Sequence, residues 1–275
     1  YDILFLLDRK YSDPEFQNEM KKWPFKIVGD MKDRPKIEVT INNQIKQFSP
    51  EEVLSMIFDY LKKIASSYLV PCNKYKKVRS AKVSVPCFLY EKLNEPIKKA
   101  AKMADLDECY TFGREIVSVF PIEDLHYKKI DEKANFLIIH IGGKFFNASI
   151  YNEICECSYD LNLSGDAFDE RIANYFIDRF NKKINCDVNL SPYDMNKFKI
   201  ECEKIKIKLS TENEASISYE SFFNGHNLAD NISRSTFERI NNDMFTSMIS
   251  HIDNALQKSN LKKEDISKIF LIGGS

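Results

Sequence analysis

The stretch Phe136-Leu137-Ile138-Ile139-His140-Ile141-Gly142-Gly143-Lys144-Phe145-Phe146-Asn147-Ala148-Ser149-Ile150-Tyr151 decides how this chain folds. Phe136 to Ile141 and Phe145 to Tyr151 are short apolar runs on either side of a glycine pair, a pattern that predicts two strands and a tight connection. Cys155 to Leu161 predicts a third strand and completes a meander. Glycine has a physical role at the joint, because without Cβ the backbone amides can approach a phosphate or sugar closely. The chain has only 8 glycines in 275 residues, well below the usual ~7%, so few places could grip a phosphate in this way. A second pair, Gly273-Gly274, directly follows a predicted strand, Lys268 to Ile272. Ordinary tight turns are the competing reading of both pairs. Neither fits the phosphate loop ending Gly-Lys-Ser/Thr, nor the dinucleotide fingerprint.

Upstream, Ile37 to Ile41 alternates as a strand, and Asn42-Asn43 marks a turn before Gln44 to Phe48. Ser49-Pro50-Glu51-Glu52 announces a helix, with Ser49 as cap, Pro50 in the first turn and Glu52 closing a capping box. Val53, Ile57, Leu61, Ile64 and Tyr68 follow at helical spacing and predict its buried stripe. Lys82 to Pro86 reads as a buried strand, Glu91 to Ala104 as a helix, Tyr110 to Phe112 as a short strand and Glu115 to Asp124 as a helix. The charged run Lys128 to Lys133 suggests a lobe boundary.

Downstream, Ser164 caps a predicted helix with Phe168, Ile172, Phe176 and Phe180 on one side. Ser191-Pro192-Tyr193-Asp194 opens another, ending near Leu209. Glu214 to Glu220 reads as a strand. Ser235 with Glu238 opens a long helix whose Phe237, Ile240, Met244, Met248 and Ile252 face inward. Meandering strands mixed with long helices indicate an α/β architecture in two lobes.

Composition sets outer bounds. Lys plus Arg (40) and Asp plus Glu (41) balance to a net charge of −1, which predicts no nucleic-acid surface and no anionic-membrane surface. No apolar run approaches the roughly 18 residues a membrane span requires. The 7 cysteines match no zinc framework, and Cys155 and Cys157, on one face of a strand, read as free thiols. A reducing, cytoplasmic setting is therefore expected.

Before Leu209, the residues Glu203, Lys206 and Ser210 fall at i, i+3 and i+7 and share a helix face. They could present an acceptor, a cation and a hydroxyl to one ligand. A solvated face with an i,i+3 ion pair is the commoner arrangement of such residues. His126, His140, His226 and His251 show no metal spacing. His126 reads as a surface residue and His140 as a core histidine.

Taken in order, six segments resemble the nucleotide-binding domain of the heat-shock protein 70 chaperone family. They are Phe5 to Phe25, ending Met20-Lys21-Lys22-Trp23-Pro24-Phe25; Phe48 to Val53; Val83-Ser84-Val85-Pro86; Leu163 to Asp169; Cys202-Glu203-Lys204 to Leu209-Ser210; and Leu271-Ile272-Gly273-Gly274-Ser275. The resemblance implies a two-lobed, actin-like (ribonuclease-H-like) ATPase domain, partial here, that binds nucleotide between its lobes and controls a separate peptide-binding domain. It places the first lobe at residues 1–128, with a small-subdomain remnant over 1–49 and core over 50–128. The second lobe, 129–275, takes core strands from 134–163 and 242–275 and a helical subdomain from 164–241. The family's glycine-rich hairpin and catalytic lysine would precede Tyr1, and further adenosine contacts would follow Ser275, so an incompletely represented domain is expected.

By the same resemblance, Gly142, Gly143, Glu203, Lys206, Ser210, Gly274 and Ser275 are the nucleotide-binding candidates, with Ile207 where the family has an arginine that stacks on the base. The phosphate side departs further. Where the family reads Asp-Leu-Gly-Gly-Gly-Thr-Phe-Asp, this chain has His140 for the acid associated with magnesium, Lys144 for the third glycine, Phe145 for the threonine and Asn147 for the second acid. Where the family has Asn-Glu-Pro-Thr, Arg114 takes the acid's place, with Glu115 one residue away. Phosphoryl transfer rests on positioned charge and metal. The expectation is thus a divergent chaperone domain that binds ATP or ADP with weak or absent hydrolysis. Magnesium is doubtful, and no residue is assigned a catalytic or metal-binding role.

The partners this implies are unfolded client polypeptides, engaged through a domain outside this sequence, and co-chaperones or an ordinary heat-shock-70 partner. Two other readings stand beside it: a non-enzymatic nucleotide-exchange partner resembling the large heat-shock subfamily, and a pseudo-ATPase scaffold. Val83 to Phe88 and Leu261 to Ile266 lean toward the large subfamily, and Trp23-Pro24-Phe25 toward the ordinary branch.

Overall fold

A computed structural model describes residues 3–21, 23–69, 78–119, 134–152 and 155–275. The chain divides into two compact units, Tyr1–Val117 and Ser118–Ser275. The expected boundary run Lys128 to Lys133, the end of the helix expected to reach Asp124, and His126 lie outside the described residues.

In the first unit, α1 (Ile3–Leu6) and α2 (Pro14–Met20) precede β1 (Lys26–Gly29), β2 (Pro35–Ile41) and β3 (Gln44–Phe48). The three strands form an antiparallel sheet in the order β1-β2-β3. Asn42 and Asn43 make the β2–β3 turn with φ of 51° and 60°, the left-handed pair that a two-residue hairpin needs and that asparagine tolerates. At the head of α3 (Pro50–Leu69), Ser49 N–H donates to Glu52 Oε2 at 2.6 Å and Glu52 N–H to Ser49 Oγ at 3.2 Å, the reciprocal box the sequence predicts.

The buried face of α3 differs from the expected stripe. Ile57, Leu61, Ile64 and Tyr68 are all exposed, Leu61 by 52% and Tyr68 by 77%. Leu54 and Phe58 are buried instead, in one cluster with Leu93, Ile97 and Ala100 of α4 (Tyr90–Met103). Both sets satisfy helical spacing, so periodicity defines faces without saying which one meets a neighbour. Beyond α3 come the parallel pair β4 (Ser80–Val85) and β5 (Glu108–Gly113), and then α5 (Arg114–Val119).

In the second unit, β6 (Phe136–Ile141), β7 (Phe146–Tyr151), β8 (Cys155–Asp160) and β11 (Lys268–Ile272) form one sheet in the order β11-β6-β7-β8. The β6-β7-β8 meander is antiparallel as expected, and β11 joins it parallel to β6. The second strand begins at Phe146 rather than Phe145, because the Phe145 carbonyl accepts from Gly142 N–H at 3.1 Å to close the turn.

Ser164 caps α6 (Gly165–Ile184) by accepting from Ala167 N–H, and Ser191 caps α7 (Pro192–Leu209) by accepting from Asp194 N–H. Phe168, Ile172, Phe176 and Phe180 of α6 are all buried, as predicted. A strand beyond Glu220 was not anticipated: β9 (Glu214–Phe223) turns at Asn224-Gly225 and pairs with β10 (His226–Ser233). Asn224 and Gly225 both have positive φ, 47° and 79°, so the Asn-Gly signal for this hairpin stands in the sequence.

The single helix expected from Ser235 is two. Ser233 caps α8 (Arg234–Ile240) by accepting from Thr236 N–H at 3.2 Å, and the fully buried Asn241 separates it from α9 (Asn242–Lys258). Met244 and Met248 of α9 pack on Leu137, Phe146, Ala148 and Ile150 of the sheet. A second cluster joins Ile172 and Phe176 of α6 to Phe198 of α7 and the β9–β10 hairpin.

Candidate functional site

Three backbone segments and one lysine meet at one end of the β11-β6-β7-β8 sheet. The parallel register sets Ile272 opposite His140 and so delivers the chain after β11 beside Ile141 and the Gly142-Gly143 turn. Gly273 has φ +112°, and a Cβ there would lie 2.1 Å from the Ile141 carbonyl oxygen. Only glycine allows this approach. Two residues on, Ser275 N–H donates to that same carbonyl at 3.3 Å.

The head of α6 docks on the same turn. Gly165 N–H donates to Gly142 O and Asp166 N–H to Gly143 O, each at 2.9 Å. A Cβ on Gly165 would stand 2.2 Å from Ser275 Oγ and 3.2 Å from Lys206 Nζ, so this glycine lets the strand end, the helix start and the lysine converge. Lys206, from α7, donates to Gly165 O at 3.0 Å and sits 2.9 and 3.0 Å from the two oxygens of Asp169. Open space surrounds the positions where a Cβ on Gly143 or Gly274 would lie, which leaves both backbones approachable.

Four of the seven candidates, Gly142, Gly143, Lys206 and Ser275, are thus gathered around one turn, with Gly274 adjoining Ser275. Glu203 is exposed on α7, close enough for its charge to act on Asp169. Ser210 is exposed and ends α7, its N–H bonded to Ile207 O. Lys206 is engaged by protein groups instead of standing open on a shared face.

The acids that organise this corner were not singled out from the sequence. Burial, helped by the nearby charges of Glu203 and Asp166, pushes the Asp169 carboxyl up to about 6 against the pull of Lys206. Asp166 goes the other way. Burial alone would raise it, but Lys199 at 2.7 Å and Lys144 at 3.5 Å outweigh burial and hold it below the ordinary carboxylate range. The signal for both was the i,i+3 spacing of Asp166 and Asp169 in the first turn after the Ser164 cap, where acids also favour the helix dipole.

The other side of the turn is aromatic and amide in character. His140 and Phe145 are buried with their rings edge-to-face at 4.7 Å. Asn147, opposite His140 in the β6–β7 register, is fully buried and donates to Ser149 Oγ at 2.7 Å. In the first unit, Glu115 is buried and accepts from Cys87 N–H at 2.9 Å. Among the described residues, no three His, Cys, Asp or Glu side chains gather so as to hold a metal ion, and no helix is long and apolar enough to cross a membrane.

The family model for Hsp70 protein matches residues 1–275. The chain belongs to the Hsp70 family. Its fold is accordingly the family's actin-like ATPase fold, and the mixed α/β units described above are consistent with part of such a domain. Hsp70 domains of this kind bind ATP or ADP and serve chaperones that act on client polypeptides together with co-chaperones. Set against that chemistry, the donors around this Hsp70 turn do not fit magnesium. The positions expected to carry its acids hold His140 and Asn147, and Asp166, whose N–H meets the turn at Gly143 O, is held by two lysines.

Proposed function

We propose that this chain is a divergent Hsp70 nucleotide-binding domain that binds ATP or ADP with weak or absent hydrolysis. The observation that carries the reading is the packing of His140 against Phe145 beneath the Gly142-Gly143 turn, at 4.7 Å between ring centroids. At these positions the family resemblance calls for a carboxylate and a hydroxyl. Phe145 offers no hydroxyl, and an imidazole nitrogen is a poor replacement for a carboxylate toward magnesium, a hard cation that takes oxygen ligands; loss of such groups typically costs ~10²–10⁴ in rate. The adenosine side supports binding through Ser275 and the open backbone of Gly274, which adjoin the Gly142-Gly143 turn.

The proposed lobes run over 1–128 and 129–275. The proposed compartment is the cytoplasm, in keeping with an odd number of cysteines, 7, whose spacings match no zinc framework. Clients would be engaged through a domain outside this sequence.

Calorimetric titration of the chain with ATP and with ADP, with and without magnesium, tests the reading. Binding with little magnesium dependence and negligible turnover is the expected result. Strong magnesium enhancement with turnover would overturn the loss of hydrolysis. Absence of binding by a folded sample would overturn nucleotide binding itself and favour an exchange partner or scaffold.

A further inference from the structure

Within the first unit, the end of α1, the β1–β2 turn, the first turn of α3 and one side of α4 enclose a cavity of about 610 Å³. It shares no residue with the site around Gly142-Gly143 and does not depend on that reading. Six cations line it, Arg9, Lys10, Lys32, Arg34, Lys36 and Lys99, against four acids, Asp8, Asp33, Glu51 and Glu52.

Three of the acids are engaged. Asp33 accepts from Ser12 N–H at 3.0 Å and Ser12 Oγ at 2.6 Å, Glu51 pairs with Lys99 at 3.0 Å, and Glu52 accepts from Ser49 N–H at 2.6 Å. Arg34 is engaged too, by Asp30 at 2.9 Å.

None of the other four cations is hydrogen-bonded to a carboxylate among the described residues. Arg9 Nη2 is 3.8 Å from Glu19 Oε1, beyond hydrogen-bond distance, and the guanidinium lies over the Phe16 ring at 5.6 Å. Its Nε and Nη2 are buried and make no hydrogen bond. Lys36 is 4.0 Å from Glu52. Lys10 and Lys32 are exposed and have no carboxylate partner among the described residues. Along the wall as a whole, the six cations exceed the four acids by two positive charges.

Like charges gathered on the walls of one concavity repel unless an anion is shared among them. A volume of this size is that of a small-molecule site. Several lysine point charges beside an arginine are a donor set that phosphate oxygens take. We infer that this cavity is a binding site for a small, multiply charged phosphate anion, held without a divalent metal because protein cations supply the countercharge.

The test is calorimetric titration of the full chain with inorganic pyrophosphate in metal-free buffer, alongside the Lys10→Glu/Lys32→Glu variant. Both lysines are exposed, and an unchanged melting temperature will show that the variant is folded. Saturable binding is expected, weakened roughly 10- to 100-fold by the double charge reversal. Amide NMR shifts should concentrate at residues 8–10 and 32–36. Displacement of pyrophosphate by ADP from the wild type would identify a nucleotide's phosphates as the ligand, and failure of ADP to displace it would identify a free phosphate anion. Absence of saturable binding, unchanged affinity in the double variant, or shifts confined to residues 142–143 and 275 would overturn the inference.

Discussion

Replacing Lys206 with methionine keeps the length of the side chain, removes its charge, and leaves Asp169 buried beside Glu203 and Asp166. The consequence depends on pH. In the wild type the Asp169 carboxyl is raised from 3.8 to about 6, so the fold prefers the neutral acid. The stability this contributes is fully present below about pH 4 and is lost as pH climbs through 6. That interval is worth about 3 kcal/mol, at about 1.4 kcal/mol per pH unit. Above it, Asp169 is ionised and Lys206 is the cation that holds it.

Breaking a fully buried pair costs about 3–5 kcal/mol. Here the two side chains keep 13% and 8% exposure, so the lower end applies, about 3 kcal/mol at pH 8. At pH 5 Asp169 is protonated in both proteins, and the remaining cost is the lost bond to Gly165 O, about 1 kcal/mol. Urea unfolding followed by far-UV circular dichroism at pH 5 and pH 8 should therefore show a gap between wild type and Lys206→Met that widens about threefold with pH. Adding Asp169→Asn to the variant should shrink the pH 8 gap back toward the pH 5 value. A gap of equal size at both pH values would refute the reasoning, because it would mean that Lys206 acts by packing alone.

Three further substitutions probe the geometry. Gly273→Ala forces a Cβ to within 2.1 Å of the Ile141 carbonyl at φ +112°, and should cost at least about 2 kcal/mol, visible as a lowered melting temperature; an unchanged melt would show that the strand end is free to move aside. Leu54→Ala should destabilise by about 2–4 kcal/mol, whereas Leu61→Ala should fall within about 0.5 kcal/mol. Comparable losses in chemical denaturation would restore the stripe that periodicity predicts.

Much of this fold was legible because its signals are local. Ser49-Pro50-Glu51-Glu52, Ser164 and Ser191 each satisfy orphan amides within three residues, and Asn42-Asn43 supplies its own left-handed turn. Misreadings came where a local pattern allowed two outcomes. Ser233 and Ser235 can each be proposed as a cap, and their hydroxyls lie 3.0 Å apart, but the Ser233 hydroxyl takes the amide. The α3 stripe and the Leu54-Phe58 pair both obey helical spacing, and only the position of α4 chooses between them.

The sequence by itself determined the meander, the glycine pairs, the capped helices and the substitutions that strip acids and a hydroxyl from the phosphate side, since each is a matter of residue type and near-neighbour spacing. Tertiary structure alone decided that Lys206 is bound to Asp169 rather than open to a ligand. It also decided that Gly165 and Gly273 are the glycines on which the corner depends, and that cations from three separate segments share one cavity. Those facts rest on strand register and helix docking, which bring together residues far apart along the chain, and no short-range pattern encodes such distances.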